Sequence, residues 1–136
     1  MFKISPVENA GRQKTLAEAV GVPYRPGTFA YGMVNSENGG LMGFSQFEVS
    51  AGYGTLLDLA EVPGADDFEA MFILGRSTMN FIDLCGVHLC RATATAAPER
   101  LLLCLGFVRE EDGSFSCDMT GMFDGHCSGK PVDLAK

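Results

Sequence analysis

The cysteines and histidines are the residues of this chain best suited to covalent or metal chemistry. Cys85-x-x-His88-x-Cys90 sets three candidate zinc ligands close together. Structural zinc sites pair such knuckles, and no fourth ligand stands at a matching spacing. His126-Cys127 and Cys117 could join only from farther along the chain, so no metal is expected. A cysteine nucleophile needs a histidine and an orienting group in space. His88 and Cys90 are expected to share a strand face, which allows approach. There is no G-x-S-x-G, no P-loop and no H-E-x-x-H. Asp58 and Glu61 are a second candidate pair, set in the apolar run TLLDLAEV. A carboxylate held partly away from water can take a proton from an amine. Near a strand end, the competing reading is a simply solvated side chain.

The elements that must position these residues lie between Thr55 and Phe123. TLLDLAEV reads as a strand and DDFEAMFILGRSTMNFIDLCG as a helix. VHLCRATAT reads as a second strand, and APERLLLCLGF as a short helix capped by Gly106. VRE and SFSCDMTGMF flank a Glu111-Asp112-Gly113 turn. A strand, helix, strand series needs a crossover, so its two strands are expected to be parallel. In the long helix Phe68, Met71, Phe72, Gly75, Met79, Ile82 and Cys85 recur on one face. Glu69, Arg76, Asn80 and Asp83 collect in a narrow polar stripe. Such a helix is largely buried, and core packing accounts for its Met and Phe content.

The front half reads as a meander. FKI is a first strand. Ser5-Pro6-Val7-Glu8 has the form of a helix start, with Ser at the cap, and the helix is expected to end at Gly21. Its apolar face (Leu16, Ala17, Val20) is thin, which places it on the outside. VPYRPG is a loop. Thr28–Val34 and Leu41–Val49 flank an Asn/Gly turn and form an antiparallel hairpin. In the second of these strands Leu41, Phe47 and Val49 are expected on one face and Met42 and Phe44 on the other. Tyr53–Val62 follows as the third strand of the meander.

At 136 residues the chain fits one domain, expected over 1–123, with a polar tail at 124–136 that is expected to be loosely held. Hydrophobic residues make 46% and charged residues 20%, which excludes a disordered class. No signal-type segment opens the chain and no run reaches membrane-spanning length, so no membrane partner is expected. Five irregularly spaced cysteines without a secretion signal read as reduced thiols in a cytoplasmic protein. A net charge of −7 argues against nucleic acid and towards a cationic, amine-bearing ligand.

The order of elements, ERLLLCLGF followed by VREEDG, and GGLMGFSQF together resemble the GNAT superfamily of N-acyltransferases. The resemblance covers roughly Ser5 to Phe123. It implies an α+β fold with a mostly antiparallel twisted sheet, a central parallel strand-helix-strand crossover and helices on both faces. It also implies acyl-CoA (acetyl-CoA or CoA) between the fourth and fifth strands, and a small-molecule amine as acceptor. A homodimer is compatible with it. Leu59, Ala60, Glu61 and Val62 would hold the pantetheine by their main chain. Asp66, Asp67, Phe68, Glu69, Ala70 and Met71 would stand at the pyrophosphate loop, and Glu61 or Asp58 would serve as general base.

Three positions depart from the superfamily pattern. Its pyrophosphate loop carries glycines that let backbone N–H groups approach the anion. Here that loop reads Asp-Asp-Phe-Glu-Ala-Met, and no Lys or Arg lies between Arg25 and Arg76. Its proton-donating tyrosine corresponds to Leu102, and its strand-end asparagine to Thr95-Ala96. Two functions are therefore expected as alternatives. One is an acyl-CoA-dependent N-acyltransferase. The other is a catalytically degenerate binding or regulatory module on the same fold, without an acyl-CoA site.

Overall fold

The computed structural model describes residues 1–123. The 124–136 tail, with His126 and Cys127, lies outside the described residues. Among the described residues, seven strands and three helices occur in the order β1 (Phe2–Pro6), α1 (Ala10–Val20), β2 (Phe29–Asn35), β3 (Leu41–Ser50), β4 (Tyr53–Glu61), α2 (Phe68–Leu84), β5 (Leu89–Ala92), α3 (Glu99–Leu105), β6 (Val108–Arg109) and β7 (Phe115–Asp118). The strands form one sheet in the order β1-β2-β3-β4-β5-β7-β6. Only β4 and β5 pair parallel, joined by the α2 crossover; every other pair is antiparallel. The fold is therefore the mixed, mostly antiparallel α+β arrangement expected.

The helix α1 does not begin at Ser5. Ser5 and Pro6 end β1, opposite Gly32 and Tyr31. Proline is tolerated there because β1 is the edge of the sheet. Asn9 caps α1 instead, its side chain accepting from the Arg12 N–H at 2.9 Å. Gly21 closes the helix in the left-handed region, with φ of 83°.

Two cores sit on opposite faces of the sheet. On one face, Leu16, Ala17 and Val20 of α1 pack with Val7, Ala30 and Phe44. On the other, α2 and α3 cover Met33, Phe47, Leu56 and Leu59 of the strands and Phe107 and Phe115 beyond them. The facing in β3 differs from simple alternation: Leu41 packs with Phe44 on the α1 side, and Met42 packs with Phe47 and Val49 on the α2 side. The register shift at Met33/Val34 causes this: Met33 pairs with Gly43 and Val34 with Leu41, so Met42 is an extra residue on β3 and the facing reverses there.

The buried stripe of α2 is Ala70, Met71, Leu74, Gly75, Thr78, Met79 and Ile82. It is rotated from the expected face: Leu74 and Thr78 lie at its centre, while Phe68 and Phe72 flank it half-buried. Thr78 satisfies its hydroxyl with Ser45 Oγ at 2.8 Å and the Leu74 carbonyl at 2.9 Å. Gly54 lets α2 lie close on β4, since a Cβ there would stand 2.5 Å from Ile82 Cγ2.

Candidate functional site

The site begins with a bulge. β3 pairs Gln46 with Asp58 but Phe47 with Leu56, so Leu57 is the extra residue on β4. The bulge turns both Leu56 and Leu59 into the α2 core, where they are 0% and 1% exposed. It also swings the rest of β4 away from β5. The two strands pair only at Gly54–Cys90, Thr55–Arg91 and Leu56–Ala92. After Ala92 the chain turns back, with the Ala96 N–H on the Thr93 carbonyl at 3.0 Å. A single backbone bond then spans the gap, from the Leu59 N–H to the Ala96 carbonyl at 2.8 Å.

Beyond that bond the strands leave a cleft of about 630 Å³. Leu59, Ala60 and Glu61 form one wall, and Thr95 to Pro98 with Arg100 and Leu101 form the other. Met71 and Phe68 of α2 and Val22 of the loop after α1 complete the lining. The Val62 N–H bonds the Met42 carbonyl on the β3 side at 3.1 Å. Ladder alternation therefore turns the N–H of Glu61, like that of Leu59, towards the gap. A mainly apolar slot with an inward backbone donor suits an extended chain carrying amides.

Charge in the slot is divided. Glu61 and Asp66 are its carboxylates, and Arg100 is the basic side chain lining it among the described residues. The Arg100 guanidinium carbon lies 4.2 Å from the centroid of Phe68, which fixes the cation at the mouth beside the first turn of α2. That turn is already satisfied in part. Asp67 caps it, accepting from the Ala70 N–H at 3.0 Å, and Glu61 Oε2 accepts from the Asp67 N–H at 3.1 Å.

Of the residues expected to hold a donor, Leu59, Ala60, Glu61, Asp66, Phe68 and Met71 line the cleft. Val62, Asp67, Glu69 and Ala70 do not. Val62 packs towards the α1 side, Asp67 caps, Glu69 is exposed and Ala70 is buried. Asp58 is 4% exposed and faces away from the slot. Its oxygens accept from Arg25 Nε at 2.5 Å, Arg25 Nη2 at 3.2 Å and Gln46 Nε2 at 2.8 Å. The Asp58 hydrogen bond pushes the Arg25 guanidinium further up from its ordinary value. Asp58 thus anchors the loop after α1 and has no oxygen turned to the cleft. Leu102 is fully buried in the α2-side core.

Among the described residues, the histidine and the cysteines do not come together. His88 precedes β5 and is exposed, its Nδ1 2.6 Å from Asp83 Oδ1, while Cys90 is fully buried opposite Cys117. Burial pushes the Cys90 thiol up to about 12, which makes it a poor nucleophile. No metal-ligating cluster forms among the described residues.

Sequence reasoning missed two features. Arg100 carried a signal: it sits in the Pro-Glu-Arg start of α3, which the resemblance sets across the gap. The buried Gln13–Gln46–Asp58–Arg25 network carried none, because its members are far apart in sequence and polar in type.

Neither a protein-family profile nor a curated protein matches the sequence. Solved structures do match the fold. The ribosomal-protein-S18-alanine N-acetyltransferase of Escherichia coli aligns over 98% of this chain and 100% of its own, with a TM-score of 0.66 at 15% identity. A GNAT family acetyltransferase of Brucella melitensis, solved with acetyl-CoA, aligns over 87% of this chain and 88% of its own, with a TM-score of 0.64 at 15% identity. The N-acetylglutamate synthase of Neisseria gonorrhoeae, solved with coenzyme A and N-acetyl-glutamate, aligns over 88% of this chain but 35% of its own, with a TM-score of 0.70 at 12% identity. No helix among the described residues is long and apolar enough to cross a membrane. With its β4 bulge, its parted β4 and β5 and these matches, the chain has the fold of the GNAT superfamily of N-acyltransferases.

Proposed function

We propose that the chain is an acyl-CoA-dependent N-acyltransferase of low donor affinity, acting on a small amine. The observation that carries this reading is the parting of β4 from β5 after Leu56, which leaves an apolar slot with a backbone donor turned into it. The main chain of Leu59–Val62 would hold the pantetheine amides as an added strand does. Arg100 would meet the phosphates at the mouth, in place of a glycine-rich loop.

In the reaction the amine nitrogen attacks the thioester carbonyl, the C–S bond breaks and an amide forms. Glu61 takes the amine proton through bridging water, because its side chain is turned to the start of α2. Its Oε2 is held by the Asp67 N–H, which leaves Oε1 for that task. The thiolate is reprotonated from solvent, since the buried Leu102 has no proton to give. Asp58 acts at one remove, by anchoring the loop that bears Val22.

The Leu59–Ala96 hydrogen bond favours a second reading. It closes the inner end of the gap, as in a binding module whose acyl-CoA site has been given up. Thiol release from acetyl-CoA, followed with a panel of primary amines, separates the two. The transferase reading predicts amine-dependent release that falls at least tenfold in Glu61→Gln. The absence of amine-dependent release above the uncatalysed rate supports the binding module, and amine-dependent release unchanged in the variant removes Glu61 as the base.

A further inference from the structure

A second concavity of about 540 Å³ lies at the edge of β2, away from the cleft. The loop between α1 and β2 separates the two, giving Val22 to the cleft and Thr28 to this groove. Its wall is a cluster of four rings. Phe29 lies 5.8 Å from Phe47 and 5.2 Å from Phe81, and Tyr31 lies 5.6 Å and 6.0 Å from the same two rings. Phe47 is core, but Phe29 is 49% exposed, so ring surface faces the groove. The one carboxylate of the lining is Glu8, and no lysine or arginine lines it among the described residues.

A buried polar atom adds an independent constraint. Gln13 lines the groove and is 5% exposed. Its Nε2 donates to Gln46 Oε1 at 2.9 Å, Thr28 Oγ1 at 3.0 Å and the Arg25 carbonyl at 3.4 Å, which fixes the amide orientation. Its Oε1 accepts no hydrogen bond from any described residue. A buried carbonyl oxygen without a donor is costly and calls for an N–H or O–H from elsewhere. Aromatic faces and one carboxylate favour a cation, and the acceptor favours one that carries N–H groups.

We propose that this groove binds a primary alkylammonium ion. The ammonium group donates to Gln13 Oε1 and pairs with Glu8, and the alkyl chain lies along Phe29 and Tyr31. The site is distinct from the cleft and does not depend on acyl transfer there.

The test is a titration of the isotope-labelled full chain with n-hexylammonium chloride, followed by NMR, with n-hexanol as the uncharged control. Saturable shifts at Phe29, Tyr31 and Phe81 are expected, with hexanol at least tenfold weaker. Glu8→Gln and Phe29→Ala, both at exposed positions, should each weaken binding about fivefold or more. Gln13→Met keeps the volume and removes the acceptor, and should weaken it as well. Shifts that do not saturate, equal binding of hexanol, or shifts confined to Glu61 and Asp66 of the cleft would each overturn the proposal. Should Gln13→Met fail to fold, an unchanged affinity in Glu8→Gln would overturn it alone.

Discussion

The Glu61 carboxylate accepts a hydrogen bond from the Asp67 backbone N–H at 3.1 Å, so the last residue of β4 reaches across to the start of α2. A bound phosphate in this fold would seek the same N–H groups and the same positive end of the helix. On the proposed reading, Glu61 is an internal anion at the place where the donor's anion would dock. Removing its charge should separate binding from chemistry. Glu61→Gln is expected to lower the apparent KM for acetyl-CoA several-fold while kcat falls at least tenfold, as steady-state kinetics would show. A fall in both affinity and kcat would mean that Glu61 assists the donor.

Arg100 is the counterweight. Stacked on Phe68 at the mouth, it should supply a charge contact that salt can screen. Arg100→Ala is expected to weaken acetyl-CoA binding at least fivefold and to flatten the dependence of affinity on ionic strength. Calorimetry between about 50 and 300 mM salt, within the screening range of surface charge, checks both.

Asp58 should matter to stability. Its carboxylate is nearly dry and serves Arg25 and Gln46 together. Losing the charge leaves those donors short, at a cost of about 2 kcal/mol. The figure is kept below that of a fully buried ion pair because the Arg25 side chain is 35% exposed. Denaturant unfolding of Asp58→Asn should show this loss, and the pH profile of any transferase activity should keep its shape.

Cys90 gives a pH dependence. Burial holds its thiol protonated up to about 12, against an ordinary value of 9.0. Between those values the unfolded chain releases a proton that the folded chain keeps. Stability from this group is therefore fully present below pH 9.0 and is lost as pH rises towards 12. The slope of unfolding free energy against pH over that window should be shallower in Cys90→Ala than in the parent chain.

The sequence made the α2 crossover legible, because seventeen helical residues carry one long apolar pattern between two apolar runs. Gly21 and Gly106 marked their helix ends for the same local reason, since both take positive φ. Ser5-Pro6 misled because a helix start and an edge-strand end accept the same residues, and only pairing with β2 decides between them. The facing of Leu41 and Met42 was hidden by the irregularity at Met42, which depends on the partner strand β2. Within the cleft, Leu59–Glu61 followed from the resemblance, which opens the sheet beside the fourth strand. The capture of Asp58 by Arg25 and the reach of Glu61 to Asp67 did not, because both are tertiary contacts between loop and strand.

Titration of the whole chain with acetyl-CoA, beside an Asp66→Gln/Glu69→Gly variant, tests the central claim most directly. Each carboxylate near a partly buried dianion costs on the order of 1 kcal/mol at an effective dielectric constant of about 20. The parent chain should bind saturably with a Kd weaker than about 1 µM, a free energy smaller than about 8 kcal/mol. The variant should bind at least tenfold tighter, at some cost in stability from a glycine in the first turn of α2. If both proteins stay folded and neither binds acetyl-CoA at millimolar concentration, the slot between β4 and α3 is not an acyl-donor site.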